Sequence, residues 1–161
     1  MRSAKEMLRA VEVNFSACSM AIFAAAVADY HAAEPTASKL KRGEEAMSLR
    51  LEPNPDILAT VARSKGERLV VGFAAETENV AANARKKLIQ KNADLIVAND
   101  VTVEGAGFDL DTNIVTLFSR DGRDLPLPRM SKAEVAQRVL DEVLRLREAL
   151  RTKPASHQTG G

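Results

Sequence analysis

The sequence of 161 residues contains little cysteine, little net charge and no long hydrophobic run. Its single cysteine, Cys18, excludes an intrachain disulfide framework and fits a reducing cytoplasm. The formal net charge of +1 gives no reason to expect nucleic acid or an acidic membrane surface as a partner. No apolar run reaches the ~20 residues that a membrane-spanning helix needs. The amphipathic start, with its two glutamates, is not typical of a signal peptide. Any binding of anions must therefore come from local clusters of charge.

Glycine is missing where a nucleotide-binding domain usually has it. Such a domain normally opens with a strand and a Gly-rich turn that leads phosphates to a helix N-terminus. Here the first glycine is Gly43, and the chain opens with a predicted helix in which Ser3 and Glu6 form a capping box. Walker A, G-x-S-x-G and H-E-x-x-H patterns are absent as well. We expect the chain to begin one or two strands into an α/β domain, without its first strand and Gly-rich turn.

Three apolar runs predict the strands of a parallel sheet. Residues 20–27, 69–74 and 95–98 show no polar alternation, which is typical of strands covered on both faces. Residues 47–51 do alternate, and they indicate a short edge strand.

Amphipathic segments predict helices between and after these strands. Asn54-Pro55-Asp56 supplies a capping residue, a first-turn proline and an acidic residue for a helix that ends at Gly66. Residues 78–91 form the next helix. Ser131 and Glu134 form a second capping box. The long helix that they open has an inward face made of Val135, Val139, Val143, Leu146 and Leu150. Strands alternating with helices predict a Rossmann-like, three-layer α/β fold with helices on both faces of the sheet.

Asp121-Gly122 is a strong hairpin signal. It lies between residues 113–118 and 123–127, so the sheet should carry a β-hairpin extension. We expect residues 1–150 to form one domain and residues 151–161 to be a disordered tail.

Polar residues follow each of the three predicted parallel strands. They are Asp29, then Glu76 and Thr77, then Asn99 and Asp100. Ligands bind beyond the carboxyl ends of parallel strands, so this edge of the sheet is a candidate site. Every strand must end in something polar, however, and the pattern favours a site no more than it favours this plain alternative.

Two groups of cations have two interpretations each. Lys87 and Lys91 share one face of a helix and could hold a polyphosphate, but a solvated face with cations near a helix C-terminus looks the same. Lys39, Lys41 and Arg42 could form a loop that closes over an anion, or a charged linker.

Three other residue types carry weaker signals. Phe73, at the end of an apolar run, is more typical of a core than of a base-stacking platform. Cys18 is interpreted as a small buried hydrophobe. His31 and His157 have no neighbouring cysteine or carboxylate pattern of a metal site. From these residues alone, the inferred function is limited to anion binding by an α/β domain.

Six motifs occur in an order that identifies a family. They are AAVADY at 25–30, KLKR at 39–42, NPDIL at 54–58, VGFAAETEN at 71–79, KKLIQKNADLIVANDV at 86–101 and GFDLDTN at 107–113. Together they resemble phosphopantothenoylcysteine synthetase, the second half of the bifunctional bacterial coenzyme A biosynthesis protein. The resemblance extends over nearly the whole chain.

The resemblance implies a cytoplasmic, CTP-dependent ligase. The carboxylate of 4′-phosphopantothenate attacks the α-phosphate of CTP, which leaves an acyl-cytidylate and pyrophosphate. The amine of cysteine then displaces CMP to form the amide, and Mg²⁺ accompanies the triphosphate. Such chemistry depends on positioning and on stabilising charge at phosphate oxygens. No flavin is expected in this chain.

The same resemblance assigns roles to site residues by motif. The nucleoside of CTP would contact Phe23, Ala24, Ala25 and Asp29. Lys39 would be the catalytic loop lysine that closes over the reacting groups. The nucleotide pocket would be bordered by Pro55, Asp56, Ile57, Leu58 and Phe73. Lys87 and Lys91 would hold the triphosphate.

The chain departs from the family pattern in two places. His31-Ala32 stands where the family usually has Arg-Pro, which could alter loop closure or substrate contact. The Gly-rich turn and a segment with a catalytic asparagine are missing. We therefore expect weak or absent ligase activity from this chain alone.

Two further interpretations stay open at this point. A non-catalytic subunit or remnant could retain the fold and pair as a homodimer through the hairpin and neighbouring edge strands, as the family does. A nicotinamide- or flavin-binding domain is disfavoured because G-x-G-x-x-G is absent. The flavin-dependent decarboxylase that is often fused to this family would lie upstream.

Overall fold

The computed structural model describes residues 3–34, 38, 46–102 and 111–152. The four helices of this part of the chain are α1 (Ala4–Phe15), α2 (Ile57–Ala62), α3 (Val80–Gln90) and α4 (Lys132–Thr152). Its strands are β1 (Met20–Phe23), β2 (Tyr30–Ala32), β3 (Leu51–Pro53), β4 (Leu69–Glu76), β5 (Leu95–Asp100), β6 (Thr112–Asn113), β7 (Val115–Ser119), β8 (Asp124–Pro126) and β9 (Met130–Ser131). None of the helices in these residues is both long and apolar enough to cross a membrane.

The central sheet has five strands in the order β1-β4-β5-β7-β8. β1, β4 and β5 are parallel, with Phe23 opposite Gly72 and Glu76 opposite Asp100. β7 and β8 add to this sheet in antiparallel orientation. Gly122 turns between them with a φ of 93°, a conformation that glycine adopts without strain. The predicted hairpin is therefore confirmed.

Helices cover both faces of the sheet, which confirms the predicted three-layer α/β fold. On one face, α1, α2 and α3 pack over alternate strand residues that include Val70, Ile96 and Phe118. On the other face, α4 packs over Val71, Val97 and their neighbours. Side chains of β4 alternate between these two cores, and this is why the segment lacks the polar alternation of a half-exposed strand.

Gly72 allows α2 to lie close to β4. A Cβ atom at this position would come within 2.5 Å of Leu58 Cδ1 and 3.1 Å of Ile96 Cδ1. Leu58 also lines the cavity described below. The absence of a side chain at Gly72 therefore allows this part of the cavity wall to pack closely against β4.

Two helix starts follow the predicted capping chemistry. The Ser3 hydroxyl accepts a hydrogen bond from the Glu6 amide, and α1 begins there. The second capping box has both of its bonds: Glu134 N–H donates to Ser131 Oγ, and Ser131 N–H donates to Glu134 Oε2.

The start and end of α2 correct the prediction. Asp56, not Asn54, caps this helix, because its Oδ1 accepts from the Ala59 amide at 2.9 Å. The helix ends at Ala62, before the turn in which Gly66 takes a φ of 56°.

The predicted strand at 20–27 was too long and too buried. β1 ends at Phe23 and forms an edge of the main sheet among the described residues, with Ile22 exposed. The alternating segment 47–51 was also misplaced, because β3 begins at Leu51 and pairs with β2 in a separate small sheet.

Two further predictions of burial were wrong. Leu150 lies on the exposed side of α4 because the last turns of this helix extend beyond the sheet core, which ends at Leu146. Cys18 is exposed and donates its thiol to the Asn14 carbonyl at the end of α1. α4 also continues through Thr152, past the predicted domain end. The predicted tail from residue 153 onward and the loop cations Lys39, Lys41 and Arg42 lie outside the described residues.

Candidate functional site

A cavity of about 270 Å³ lies beyond the carboxyl ends of β1 and β4. One wall is the segment 25–29 that follows β1, and the opposite wall is the turn 54–56 with the first residues of α2. Phe23 and Phe73 contribute aromatic surface, and Phe73 keeps 44% of its surface exposed. The interpretation of Phe73 as a core residue, drawn from the apolar run alone, is wrong, and its assignment to a nucleotide pocket stays a prediction. The exposed ring of Phe73, three residues before β4 ends, gives a base or another flat group a surface on which to stack.

Asn54 joins the two walls of this cavity. Its side-chain Nδ2 donates to the Ala28 carbonyl at 2.9 Å, and its backbone N–H donates to the Asp29 carbonyl at 2.7 Å. Both bonds cross 25 or more residues of sequence, so they hold the segment after β1 against the turn before α2. Asp29 is thereby placed in the cavity wall by its own backbone.

We expect Asn54→Ala to lower the free energy of unfolding by about 0.5–1.5 kcal/mol, since one hydrogen bond between exposed segments is lost. Urea unfolding followed by circular dichroism would measure the change. Asn54→Asp is the matched variant: it keeps the shape but cannot donate to the Ala28 carbonyl, so it should be at least as destabilised. Stability equal to that of the wild type in both variants would mean that the side-chain bond does not hold the walls together.

Lys87 is paired with a carboxylate at the end of β4. Its Nζ lies 2.6 Å from Glu76 Oε1, and Glu76 Oε2 accepts from Asn83 Nδ2 at 3.2 Å. The side chain of Glu76 is 10% exposed, whereas that of Lys87 is 37% exposed. The pairing fixes a cation beside the carboxyl edge of the sheet.

Lys91 reaches the cavity itself. It is one turn further along the same face and lies beyond the last residue of α3, with its Nζ 3.2 Å from Asp56 Oδ2. Both members of this pair line the cavity and both are substantially exposed. Among the described residues, Lys91 is thus a cation at the cavity rim whose partner is a solvent-exposed carboxylate.

The structure brings together nine of the twelve predicted site residues in the cavity wall: Phe23, Ala25, Asp29, Pro55, Asp56, Ile57, Leu58, Phe73 and Lys91. Two predicted residues are not part of this wall. Ala24 lies between the lining residues Phe23 and Ala25, and Lys87 lies one helical turn before Lys91. Lys39 lies outside the described residues. The roles assigned to these residues stay predictions.

Sequence reasoning missed five further lining residues, which are Met7, Ala26, Val27, Ala28 and Asn54. Three of them directly precede Asp29. Ala26 and Val27 were missed because they were predicted to belong to a buried strand. Asn54 was interpreted as a helix cap, although its bonds go to the opposite wall.

At the end of β5, Asp100 makes hydrogen bonds to a neighbouring residue. Asp100 Oδ1 accepts from the backbone N–H and the hydroxyl of Thr102. His31, where the family pattern has arginine, lies in β2 opposite Glu52. It does not line the cavity itself but an adjoining cleft that shares Ala28 and Asn54 with the cavity. Its buried Nδ1 has no hydrogen-bond partner within the described ranges. Those ranges also contain no group of three or more histidine, cysteine, aspartate or glutamate side chains that could hold a metal ion.

Comparison with known proteins identifies the family. The family model described as DNA/pantothenate metabolism flavoprotein C-terminal domain matches residues 1–146. The coenzyme A biosynthesis bifunctional protein CoaBC of Bacillus subtilis (strain 168) is 45% identical over 146 residues, which cover 91% of this chain and 36% of that protein. The CoaBC protein of Escherichia coli (strain K12) is also 45% identical, over 147 residues that cover 88% of this chain and 36% of that protein. The chain therefore spans about a third of the length of these curated relatives.

Solved structures agree in fold. The crystal structure of the C-terminal domain of CoaBC superposes with a TM-score of 0.73 at 37% identity, and the match covers 92% of this chain and 65% of that chain. A Cab2 variant in complex with phosphopantothenate-cysteine shares the fold at a TM-score of 0.67 and 17% identity, over 93% of this chain and 52% of that one. The family predicted from the six motifs is confirmed: the chain belongs to the DNA/pantothenate metabolism flavoprotein C-terminal domain family.

Proposed function

We propose that this chain takes part in phosphopantothenate–cysteine ligation in coenzyme A biosynthesis and that its cavity binds the nucleotide. The observation that carries the proposal is the cavity at the carboxyl edge of β1 and β4, where exposed aromatic surface, a carboxylate and a cation meet. Membership of the family of the CoaBC C-terminal domain supports the same chemistry.

The proposed reaction has two steps. A carboxylate oxygen of 4′-phosphopantothenate attacks the α-phosphorus of CTP, and the bond to the departing pyrophosphate breaks. The amine of cysteine then attacks the acyl carbon of the acyl-cytidylate, loses a proton and displaces CMP. The protein's contribution to both steps is to align the reactants and to stabilise negative charge on the phosphate oxygens.

Each part of the cavity suits one part of CTP. Phe73 offers a ring for the base, and Asp29 offers a carboxylate that accepts hydrogen bonds from base or ribose donors. Lys91 at the rim and Lys87 beside it supply charge for the triphosphate. Lys39 is proposed as the catalytic lysine that closes over the reacting groups.

Mg²⁺ would arrive with the triphosphate rather than occupy a protein cage. Among the described residues no cluster of three or more potential ligands is present, and Mg²⁺ commonly keeps several waters while binding substrate phosphates. When bound, the ion would neutralise charge on the phosphates. Of the described residues in the cavity wall, Asp29 offers carboxylate oxygens that could bind such an ion.

The wider assembly is also part of the proposal. Homodimer pairing would use the β7–β8 hairpin, and a flavin-dependent phosphopantothenoylcysteine decarboxylase would be fused or associated upstream. We propose that the chain alone has weak or no ligase activity. The alternative is a non-catalytic dimerising subunit that retains the fold.

The test is isothermal titration calorimetry of the chain with CTP and with ATP in the presence of Mg²⁺. We expect binding of CTP in preference to ATP, and a loss of about 30-fold or more in affinity in Lys87→Ala/Lys91→Ala, because two charged contacts to phosphate are removed. Lys86→Ala is the matched control, since this exposed lysine lies on the same helix outside both ion pairs. No nucleotide binding, or an equal loss in the control, would reject the nucleotide site and favour the non-catalytic alternative.

A further inference from the structure

The two lysines beside the cavity are held by carboxylates in very different surroundings. Glu76, the partner of Lys87, is buried at the end of β4. Asp56, the partner of Lys91, is exposed at the start of α2, with 47% of its side-chain surface accessible. Both contacts are ion pairs on one face of the same helix, yet the free-energy cost of breaking them differs.

Lys87 cannot leave Glu76 without leaving a buried charge uncompensated. Glu76 Oε2 is bonded to Asn83, whose Nδ2 also donates to the Glu78 carbonyl at 2.9 Å. Oε1 is buried and has no aligned hydrogen bond within the described ranges, so the ammonium group of Lys87 is what compensates its charge. Among the described residues Lys87 is the cation that pairs with Glu76, and separating a buried carboxylate from its paired cation is strongly unfavourable. The ammonium of Lys87 has three N–H donors, so it can stay on Glu76 and still donate to an anion.

Lys91 and Asp56 can separate at little cost. Both side chains are solvated, and exposed pairs of this kind contribute little to stability and are screened by salt. Asp56 keeps its other bond when the pair opens, because Oδ1 caps the Ala59 amide while Oδ2 faces Lys91. A phosphate at the rim could therefore replace Asp56 as the partner of Lys91 without disturbing α2.

We propose that Glu76 is a positioning residue for Lys87 and that Asp56 is an internal competitor for Lys91. On binding, the triphosphate displaces Asp56 from Lys91 while the Glu76–Lys87 pair remains intact. This inference rests on the proposed nucleotide-binding function and adds a division of roles between the two cations.

Two isosteric variants distinguish this proposal from the alternative that any loss of negative charge near the site strengthens anion binding. Glu76→Gln and Asp56→Asn each remove one negative charge near the anion site, so a general field effect predicts tighter CTP binding in both. The proposal predicts opposite signs. Asp56→Asn keeps the helix cap and frees Lys91, so CTP should bind about threefold more tightly at low salt. Glu76→Gln releases Lys87 from its position, so CTP should bind about tenfold more weakly.

Matched variants complete the calorimetric series. Glu78→Gln removes a charge from an exposed residue of the same loop and should leave affinity within about twofold of the wild type. Glu76→Asp retains the charge and should restore part of the affinity lost in Glu76→Gln. If Glu76→Gln does not fold, Asn83→Ala, which removes the hydrogen bond to Glu76 Oε2 but keeps the ion pair, should weaken CTP binding in the same direction. Tighter or unchanged CTP binding in Glu76→Gln, or in Asn83→Ala where Glu76→Gln does not fold, would overturn the positioning role. Unchanged or weaker binding in Asp56→Asn would overturn the competitor role.

A second readout needs no nucleotide. Lysines dimethylated with ¹³C keep their charge, and NMR relaxation of the methyl signals reports side-chain mobility. The Lys87 signal should be more restricted than that of exposed Lys86 in the wild type and equally mobile in Glu76→Gln. If the chain binds no CTP, the proposed function and the competitor role are both rejected, while the mobility of Lys87 still decides the positioning role.

Discussion

Asp94→Asn should lower the free energy of unfolding by about 3–5 kcal/mol, because it removes one partner from a buried ion pair. Asp94 precedes β5, and its Oδ1 lies 2.5 Å from the ammonium of Lys65, which is itself buried in the turn after α2. Burial lowers the pKa of Lys65, and the hydrogen bond and charge of Asp94 offset only part of that effect. Without the carboxylate, the lysine must stay buried and unpaired or lose its proton.

The asparagine variant removes the charge, and with it the longer 3.7 Å contact of Arg120 with Asp94 Oδ1, while the hydrogen bond from the Val70 amide can persist. Asp94 Oδ2 accepts from the Val70 amide at 2.8 Å, and an asparagine oxygen can do the same. Adding Lys65→Met removes the stranded ammonium, so the double variant should recover about 2 kcal/mol or more. Urea unfolding of the four proteins in this cycle measures the coupling. A single-variant loss below about 1 kcal/mol would show that water, not Asp94, compensates Lys65.

The pH dependence of the Asp94→Asn variant has a definite sign. The folded-state pKa of Lys65 lies below its usual value, so between the two values the unfolded chain binds more protons than the folded chain. Stability should therefore rise with pH as the folded pKa is passed, and it should rise more steeply in the variant, which lacks the carboxylate that favours the ammonium. Parallel unfolding experiments at neutral and alkaline pH test this.

The core and the helix starts could be predicted because their signals are local. An apolar run without alternation identified β4 and β5, and short capping patterns identified the starts of α1 and α4. Asp121-Gly122 predicted the hairpin for the same reason, because the turn conformation is determined by the residues in the turn itself.

Features that depend on distant partners were not accessible from the sequence. Residues 24–27 are as apolar as β1, but the chain leaves the sheet after Phe23, and Asn54 then holds it against a turn that is far away in sequence. The pattern at 54–56 contains two good capping residues, and only the fold shows that Asp56 caps α2 while Asn54 bonds across the cavity.

The candidate site likewise contains some features that the sequence could predict and others that it could not. The motifs predicted nine of the fourteen lining residues, and seven of these nine lie in the two short segments 23–29 and 55–58. The ion pairs of Lys87 and Lys91 could not be predicted, since helical spacing places the two lysines on one face without indicating their partners. Lys65 and Asp94 are 29 residues apart and carry no pattern that links them.

Glu142→Gln should lower the free energy of unfolding by about 2–3 kcal/mol at neutral pH, because it takes a carboxylate out of a buried network between α4 and the β7–β8 hairpin. Glu142 is 3% exposed, and it accepts hydrogen bonds from Ser119 Oγ at 2.6 Å and from Arg145 at 2.7 and 3.0 Å. Arg123 adds a third charged contact at 3.3 Å, and Arg145 also pairs with Asp121 in the hairpin turn. The glutamine keeps a bond to Ser119 but leaves both arginines without this counter-ion.

The same variant should be less sensitive to acid than the wild type. Burial of Glu142 favours its protonation, but hydrogen bonds from Arg145 and Ser119 and the charges of Arg145 and Arg123 outweigh this and hold the pKa of Glu142 below its usual range. The folded chain therefore binds fewer protons than the unfolded chain between the two pKa values, and this stabilisation is lost as pH falls through the folded-state pKa. Thermal unfolding between pH 7 and pH 3 should show a smaller decrease in stability for Glu142→Gln than for the wild type.

Arg138→Ala is a suitable control, because its contact with Asp141 is exposed and 4.0 Å long, so its acid profile should follow the wild type. Parallel acid profiles for Glu142→Gln and the wild type would mean that this buried carboxylate does not link the stability of the α4–hairpin packing to pH.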